Sequence, residues 1–137
     1  MRVYLALPQF GPANETGRAL ADAIRDAGHS LVNDPLDARR AFPLAQSERS
    51  TFVEETDRLL AADLLVADAS QPDAGIGWAI AWFLAKGRLV VLCCSKDARA
   101  SLAPLLAGNP SPWQKLVTYD DAAALGRQVT EILTANG

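Results

Sequence analysis

Six residues near the middle of the chain, Asp63-Leu64-Leu65-Val66-Ala67-Asp68, form an apolar run with a carboxylate at each end. The run does not alternate polar and apolar side chains, so it predicts a β-strand that is buried on both faces. Such strands occur in parallel sheets that helices cover on both sides. Patterns typical of helices lie on either side of the run, over residues 47–62 and 75–86.

The same succession of short apolar runs and amphipathic stretches extends toward both ends of the chain. Further strands are predicted over residues 2–7, 29–33, 88–94 and 115–119, and further helices over residues 14–27, 97–107 and 120–135, with an interruption near Pro104. This alternation predicts an α/β fold: a doubly wound, five-stranded parallel sheet of the flavodoxin or Rossmann-like type, with helices on both faces. The strand order expected at this length is 2-1-3-4-5. We expect residues 1–137 to form a single domain.

Composition excludes several classes of protein. Half of the residues are hydrophobic (50%) and the net charge is only -3, which argues against a disordered chain and against binding of a nucleic-acid polymer. No apolar run is long enough to span a membrane, and the short one at the start ends at Pro8, so neither a membrane contact nor a signal peptide is expected.

The cysteines and the histidine indicate the redox state of the cellular compartment and whether the chain could bind a metal ion. The neighbours Cys93 and Cys94 should point to opposite faces of a strand and cannot easily pair with each other. The chain has a single histidine, so we expect no metal site and no cofactor. Together these features predict a reduced, cytoplasmic, soluble protein.

Ligands of doubly wound sheets bind where the strand order reverses, beyond the carboxyl ends of the strands. Here that point lies at residues 7–14 and 68–77. Gly75 and Gly77 open the helix after the third strand, where a ligand could approach the backbone and the helix N terminus would favour an anion or an oxygen-rich group. The same residues also fit a plain strand-to-helix turn in which Asp73 is only the capping residue.

The loop after the first strand offers a second set of candidates. Pro8 and Pro12 stiffen it, and between them Gln9 and Phe10 could present an amide and an aromatic face to a planar base. The alternative is a rigid connection with Phe10 in the core.

Three segments, in chain order, resemble the motifs of a known family. They are 4-YLALPQF-10, 62-ADLLVA-67 and 73-DAGIGWAIA-81. They are similar to the motifs Y-L-A-x-P-x-F, A-D-h-h-V-A and D/S-x-G-h-G-x-E-h-G, where h is apolar, of the nucleoside 2-deoxyribosyltransferases and the related 2'-deoxynucleoside 5'-monophosphate N-glycosidases. The resemblance covers most of the chain and implies cleavage of an N-glycosidic bond, with a carboxylate that attacks or stabilises the anomeric carbon.

The resemblance also implies roles for individual residues. Asp73 would bind the sugar and Glu55 would act near the base. The ligand would be contacted by Tyr4, Pro8, Gln9, Phe10, Asp68, Gly75 and Gly77. The family's nucleophilic glutamate falls on Ala79, whose methyl group can neither attack nor stabilise a cation, and the glycosidases' phosphate-binding serine falls on Ala103.

Several functions stay open at this point. The chain could be a nucleoside- or nucleotide-binding relative that has lost most of its catalysis, or an active enzyme in which Asp73 or Glu55 has taken over. Ala79 could also be a deliberate replacement that traps substrate. A non-catalytic module that binds a partner protein is the alternative from a different class.

Residues 75–86 form a predicted helix without a polar face. Trp78 and Trp82 are one helical turn apart and therefore share a stripe. Such a helix must be covered on more than one side, either by its own chain or by another copy. We expect a homodimer or a higher homo-oligomer that uses this helix.

Overall fold

The computed structural model describes residues 1–8, 14–36 and 47–136. The strands are β1 (Arg2–Ala6), β2 (Ser30–Leu31), β3 (Leu64–Asp68), β4 (Leu89–Ser95) and β5 (Gln114–Tyr119). The helices are α1 (Asn14–Asp26), α2 (Glu48–Ala61), α3 (Ala74–Ala85), α4 (Pro104–Ala107) and α5 (Ala122–Asn136), and a 3-10 turn covers Arg99–Ser101.

The strands form one parallel sheet in the order β2-β1-β3-β4-β5, which confirms the predicted fold and strand order. β3 lies at its centre, and all five of its residues are buried. The carboxyl ends of β1 and β3 are neighbours, because Ala6 pairs with Ala67. The helices that follow these two strands, α1 and α3, pack on opposite faces of the sheet, so the strand order reverses here, at the point where ligands of doubly wound sheets bind.

Two apolar layers cover the sheet, because successive side chains of a strand point to opposite faces. On one face, strand residues such as Val66 and Cys93 pack against α1 and α5. On the other face, residues such as Leu65 and Cys94 pack against α2, α3 and the segment around Leu102. The prediction for the two cysteines is therefore confirmed: both thiols are buried and free, on opposite faces.

The predicted interruption of the stretch 97–107 near Pro104 is confirmed. The 3-10 turn ends at Ser101, and α4 is a single turn that begins at Pro104, because proline is tolerated at a helix start but not inside a helix. In α2, the three apolar residues Phe52, Leu59 and Leu60 do not share one environment. Leu59 is buried, whereas Phe52 is 57% exposed and Leu60 is 55% exposed.

The edge of the sheet beside β1 is completed by a side chain. β2 contains only two residues, and beyond it the Asn33 amide takes the place of a backbone unit. Its Oδ1 accepts a hydrogen bond from the Leu5 N–H at 2.9 Å, and its Nδ2 donates to the Leu5 carbonyl at 2.8 Å. The hydrogen bonds along this edge of β1 therefore continue past the two residues of β2, with the Asn33 side chain as the partner of Leu5.

Candidate functional site

The carboxyl ends of the strands carry most of the candidate residues. Tyr4 lies on β1, Asp68 ends β3, and Asp73 precedes α3 by one residue. Glu55 comes from α2, which packs beside them. Three segments that are distant in sequence, β1, α2 and the β3–α3 connection, thus carry these residues.

Tyr4 and Glu55 are joined by a hydrogen bond. The Tyr4 hydroxyl donates to Glu55 Oε2 at 2.5 Å. Arg58 holds the other carboxylate oxygen, since its Nη1 donates to Glu55 Oε1 at 2.6 Å, and its Nη2 donates to Glu54 Oε1 at 2.5 Å. Burial raises the pKa of Tyr4 and the Glu55 carboxylate raises it further, so this hydroxyl remains a donor throughout the physiological range. Glu55 is therefore fixed from both sides.

The start of α3 is set by Asp73. Its Oδ1 accepts a hydrogen bond from the Ile76 N–H at 3.0 Å, so Asp73 is the N-cap residue. This is the capping role that the sequence allowed. The same carboxylate stands at the positive end of the helix, which favours its ionised form.

Gly75 and Gly77 lie in the first turns of α3 with ordinary helical backbone angles; the positive-φ glycines among the described residues are Gly28 and Gly87. A Cβ placed on Gly77 would meet no described atom within 4 Å, apart from its own helix and immediate neighbours. On Gly75 it would lie 3.3 Å from Asp73 Oδ1. Neither the backbone conformation nor the packing of the described residues thus requires glycine at position 77.

Ala79 lies one turn further along α3 and is 5% exposed. Its methyl group belongs to the apolar cluster on the α2–α3 side of the sheet, against which Tyr4 also packs. The residue at the motif's nucleophile position is therefore a small core side chain.

A second group of polar side chains lies where β3, β4 and β5 end. Asp68, which is 3% exposed, accepts hydrogen bonds at Oδ1 from the N–H and the hydroxyl of Ser70, at 3.0 and 2.7 Å. The Ser70 hydroxyl also contacts the Tyr119 hydroxyl at 3.0 Å and accepts from the Ser95 N–H at 2.9 Å. One oxygen of the Asp68 carboxylate is thus held by its own loop.

The remaining predicted residues belong to the loop after β1, of which only the beginning is among the described residues. Pro8 is the last described residue after β1 and is half-buried. Gln9 and Phe10, together with Pro12, lie outside the described residues. Among the residues that are described, no group of histidine, cysteine, aspartate and glutamate side chains could hold a metal ion.

Sequence reasoning missed Arg58, Ser70, Ser95 and Tyr119. Arg58 was accessible from spacing, since it lies three and four residues after Glu55 and Glu54 on a predicted helix. The others come together only through the parallel pairing of β3, β4 and β5, and each lies at or just beyond the carboxyl end of a predicted strand.

Comparison with known proteins identifies the family and supports the fold. The family model described as nucleoside 2-deoxyribosyltransferase matches residues 3–103. A protein of Thermofilum pendens that carries the name 2'-deoxynucleoside 5'-phosphate N-hydrolase 1 is 29% identical over 128 residues, covering 88% of this chain and 87% of that protein.

None of the helices in the described ranges has the length and apolar character needed to cross a membrane.

Two solved structures share the fold. The CMP N-glycosidase of Clostridium botulinum superimposes with a TM-score of 0.71 at 17% identity, over 96% of this chain and 99% of the other. The 2-deoxyribosyltransferase of Bacillus psychrosaccharolyticus gives a TM-score of 0.61 at 18% identity, over 92% and 90% of the two chains. The family model spans well over half of the sequence, and the chain therefore belongs to the nucleoside 2-deoxyribosyltransferase family.

Proposed function

We propose that this protein binds a nucleoside or nucleotide beside Tyr4, Glu55 and Asp73, and that it cleaves the N-glycosidic bond slowly or not at all. Family membership supports the ligand class. The Tyr4–Glu55–Arg58 array supports a site that still presents an oriented carboxylate to a base or sugar.

The observation that carries the second half of the proposal is the side chain at position 79. The motif in 73–81 resembles one that places a glutamate there, and this chain has a buried methyl group instead. Loss of a carboxylate nucleophile removes the covalent route and the charge that would stabilise an oxocarbenium-like transition state. Such losses cost orders of magnitude in rate.

The test is to restore the carboxylate. Ala79→Glu should raise release of free base by about 100-fold or more over the parent, measured by chromatography after incubation with deoxynucleosides, deoxynucleotides and ribonucleotides. Ala123→Glu is the matched control, because it makes the same change at an exposed helical position of α5, which packs on the opposite face of the sheet. Overpacking at position 79 could cost about 1–3 kcal/mol of stability, so both variants must first be shown to be folded. A folded Ala79→Glu protein that neither binds nor cleaves would contradict the proposal.

A second candidate function is an active N-glycosidase in which Glu55 or Asp73 does the acid chemistry. Glu55 favours it, since its side chain is 38% exposed and is oriented by Tyr4 and Arg58. Here the parent protein would already release base at an ordinary enzymatic rate, and either Glu55→Gln or Asp73→Asn would abolish that release.

We further propose that a second copy of the chain covers the outer side of α3. Trp78 is 47% exposed, stacks on Trp82 with ring centroids 6.3 Å apart, and meets the exposed Phe52 edge-on at 6.1 Å. Exposed aromatic clusters of this kind are typical of protein interfaces.

The patch joins two helices of one copy, because Phe52 of α2 meets Trp78 of α3, and Lys86 and Arg88 lie over Trp82 at its other end. A two-fold axis through this aromatic cluster would bury the same residues of both copies at once.

A further inference from the structure

The hydrogen bonds around Ser70 have a determinate direction. A serine hydroxyl has one proton, and Ser70 donates it to Asp68 Oδ1 at 2.7 Å. Its oxygen then has lone pairs for the Ser95 N–H at 2.9 Å and for Tyr119, 3.0 Å away, whose hydroxyl must be the donor. Burial raises the pKa of Tyr119, so the proton that this contact needs is retained.

This network lies where the β-ladder stops. The Ala69 N–H still donates to the Cys93 carbonyl at 2.8 Å, as the last bond of the β3–β4 ladder. Ser70 is then tied to three strand ends through Asp68, Ser95 and Tyr119. Gln71 and Pro72 are exposed, and the next residue is Asp73, the cap of α3. Ser70 is thus the last anchored point before the start of α3.

We infer that Asp68, Ser70 and Tyr119 form a positioning unit, which fixes the segment between β3 and α3 so that Asp73 and the first turn of α3 face the ligand. The inference rests on the proposed function for the ligand. It gives Asp68 a role that acts through Ser70. Tyr119, on the edge strand β5, acts on this segment through its hydrogen bond to Ser70, which in turn is bonded to Asp68.

The test uses Ser70→Ala and Tyr119→Phe, each of which deletes one hydroxyl group. Thr118→Val is the matched control, because it removes an exposed hydroxyl from the residue next to Tyr119. Ser70→Thr keeps a hydroxyl and should rescue the serine variant. The amide hydrogen-exchange rate of residues 70–77 is divided by the rate of the slowest amides of β4. The ratio then reports local opening of residues 70–77 and is unaffected by a loss of global stability. Affinity is measured for the deoxynucleoside that the parent binds best.

We expect both deletions to speed relative exchange in residues 70–77 by about tenfold and to weaken affinity by about 2–10-fold, which corresponds to one hydrogen bond. Ser70→Thr and Thr118→Val should stay within about twofold of the parent. Unchanged relative exchange in both deletion variants would overturn the inference. So would faster exchange with an unchanged affinity. If the parent binds no nucleoside or nucleotide, the proposed function falls, and the exchange data alone then decide whether the network fixes the segment.

Discussion

Gly77→Ala should make the protein more stable and at the same time weaken ligand binding. Gly77 has helical backbone angles, and an added Cβ would meet no described atom within 4 Å outside its own helix and immediate neighbours. Alanine is favoured over glycine inside a helix by about 0.5–1 kcal/mol, because glycine loses more backbone entropy on folding. For a chain of this size, that gain corresponds to a rise in Tm of about 2–4 °C.

The assay pairs thermal unfolding with titration of a deoxynucleoside. Gly126→Ala is the matched control: Gly126 lies inside α5, and its added Cβ would make only an ordinary contact, 3.9 Å from the Ala19 carbonyl oxygen. Both variants should unfold at a higher temperature, and only Gly77→Ala should lose affinity, by about tenfold or more. Gly75→Ala should gain less stability, because its Cβ would lie 3.3 Å from the capping oxygen of Asp73.

Two results would refute this reasoning. If Gly77→Ala binds as the parent does, the space beside the first turns of α3 is not where the ligand lies. If it unfolds at a lower temperature than the parent while Gly126→Ala unfolds at a higher one, the space is already filled by the protein.

Three further predictions concern pH and assembly. Burial raises the pKa of both Tyr4 and Tyr119, so tyrosinate absorbance should not develop near pH ~10 in the folded protein but should do so in denaturant, and the free energy of unfolding should fall as pH rises above about 10. The Arg2 backbone N–H lowers the pKa of Asp63; its contribution to stability is present at neutral pH and lost in acid, so Asp63→Asn should flatten the pH dependence of unfolding below about pH 4. Light scattering at micromolar concentration should give a dimer that Trp78→Ser converts to monomer, and a monomeric parent would contradict the proposed interface.

The sheet could be predicted because each strand is specified locally. The run in β3 is apolar throughout, and the crossover rule then leaves few strand orders. The outer side of α2 could not be predicted in the same way, since periodicity does not say which of Phe52, Leu59 and Leu60 meets the sheet. The structure buries only Leu59 of the three.

Part of the candidate site could be predicted from the sequence and part could not. The motifs around Tyr4 and Asp73 are contiguous in sequence, so their positions could be predicted. The contact between Ser70 and Tyr119 joins residues that are 49 positions apart and depends on the register of two strand pairings. No local pattern in the sequence carries that register, which is why the network under the β3–α3 segment was missed.

The Asn33 side chain has a consequence for how this protein can associate. An unpaired strand edge is a template on which another chain can add a strand, and long flat edges lead to aggregation. Here the Asn33 amide occupies the N–H and the carbonyl of Leu5, and β2 offers only two residues of backbone. A hydrophobic residue in place of Asn33 would expose both groups to any extended peptide nearby. The Asn33 amide therefore blocks the addition of a strand beside Leu5, at the end of the sheet where β2 has already stopped.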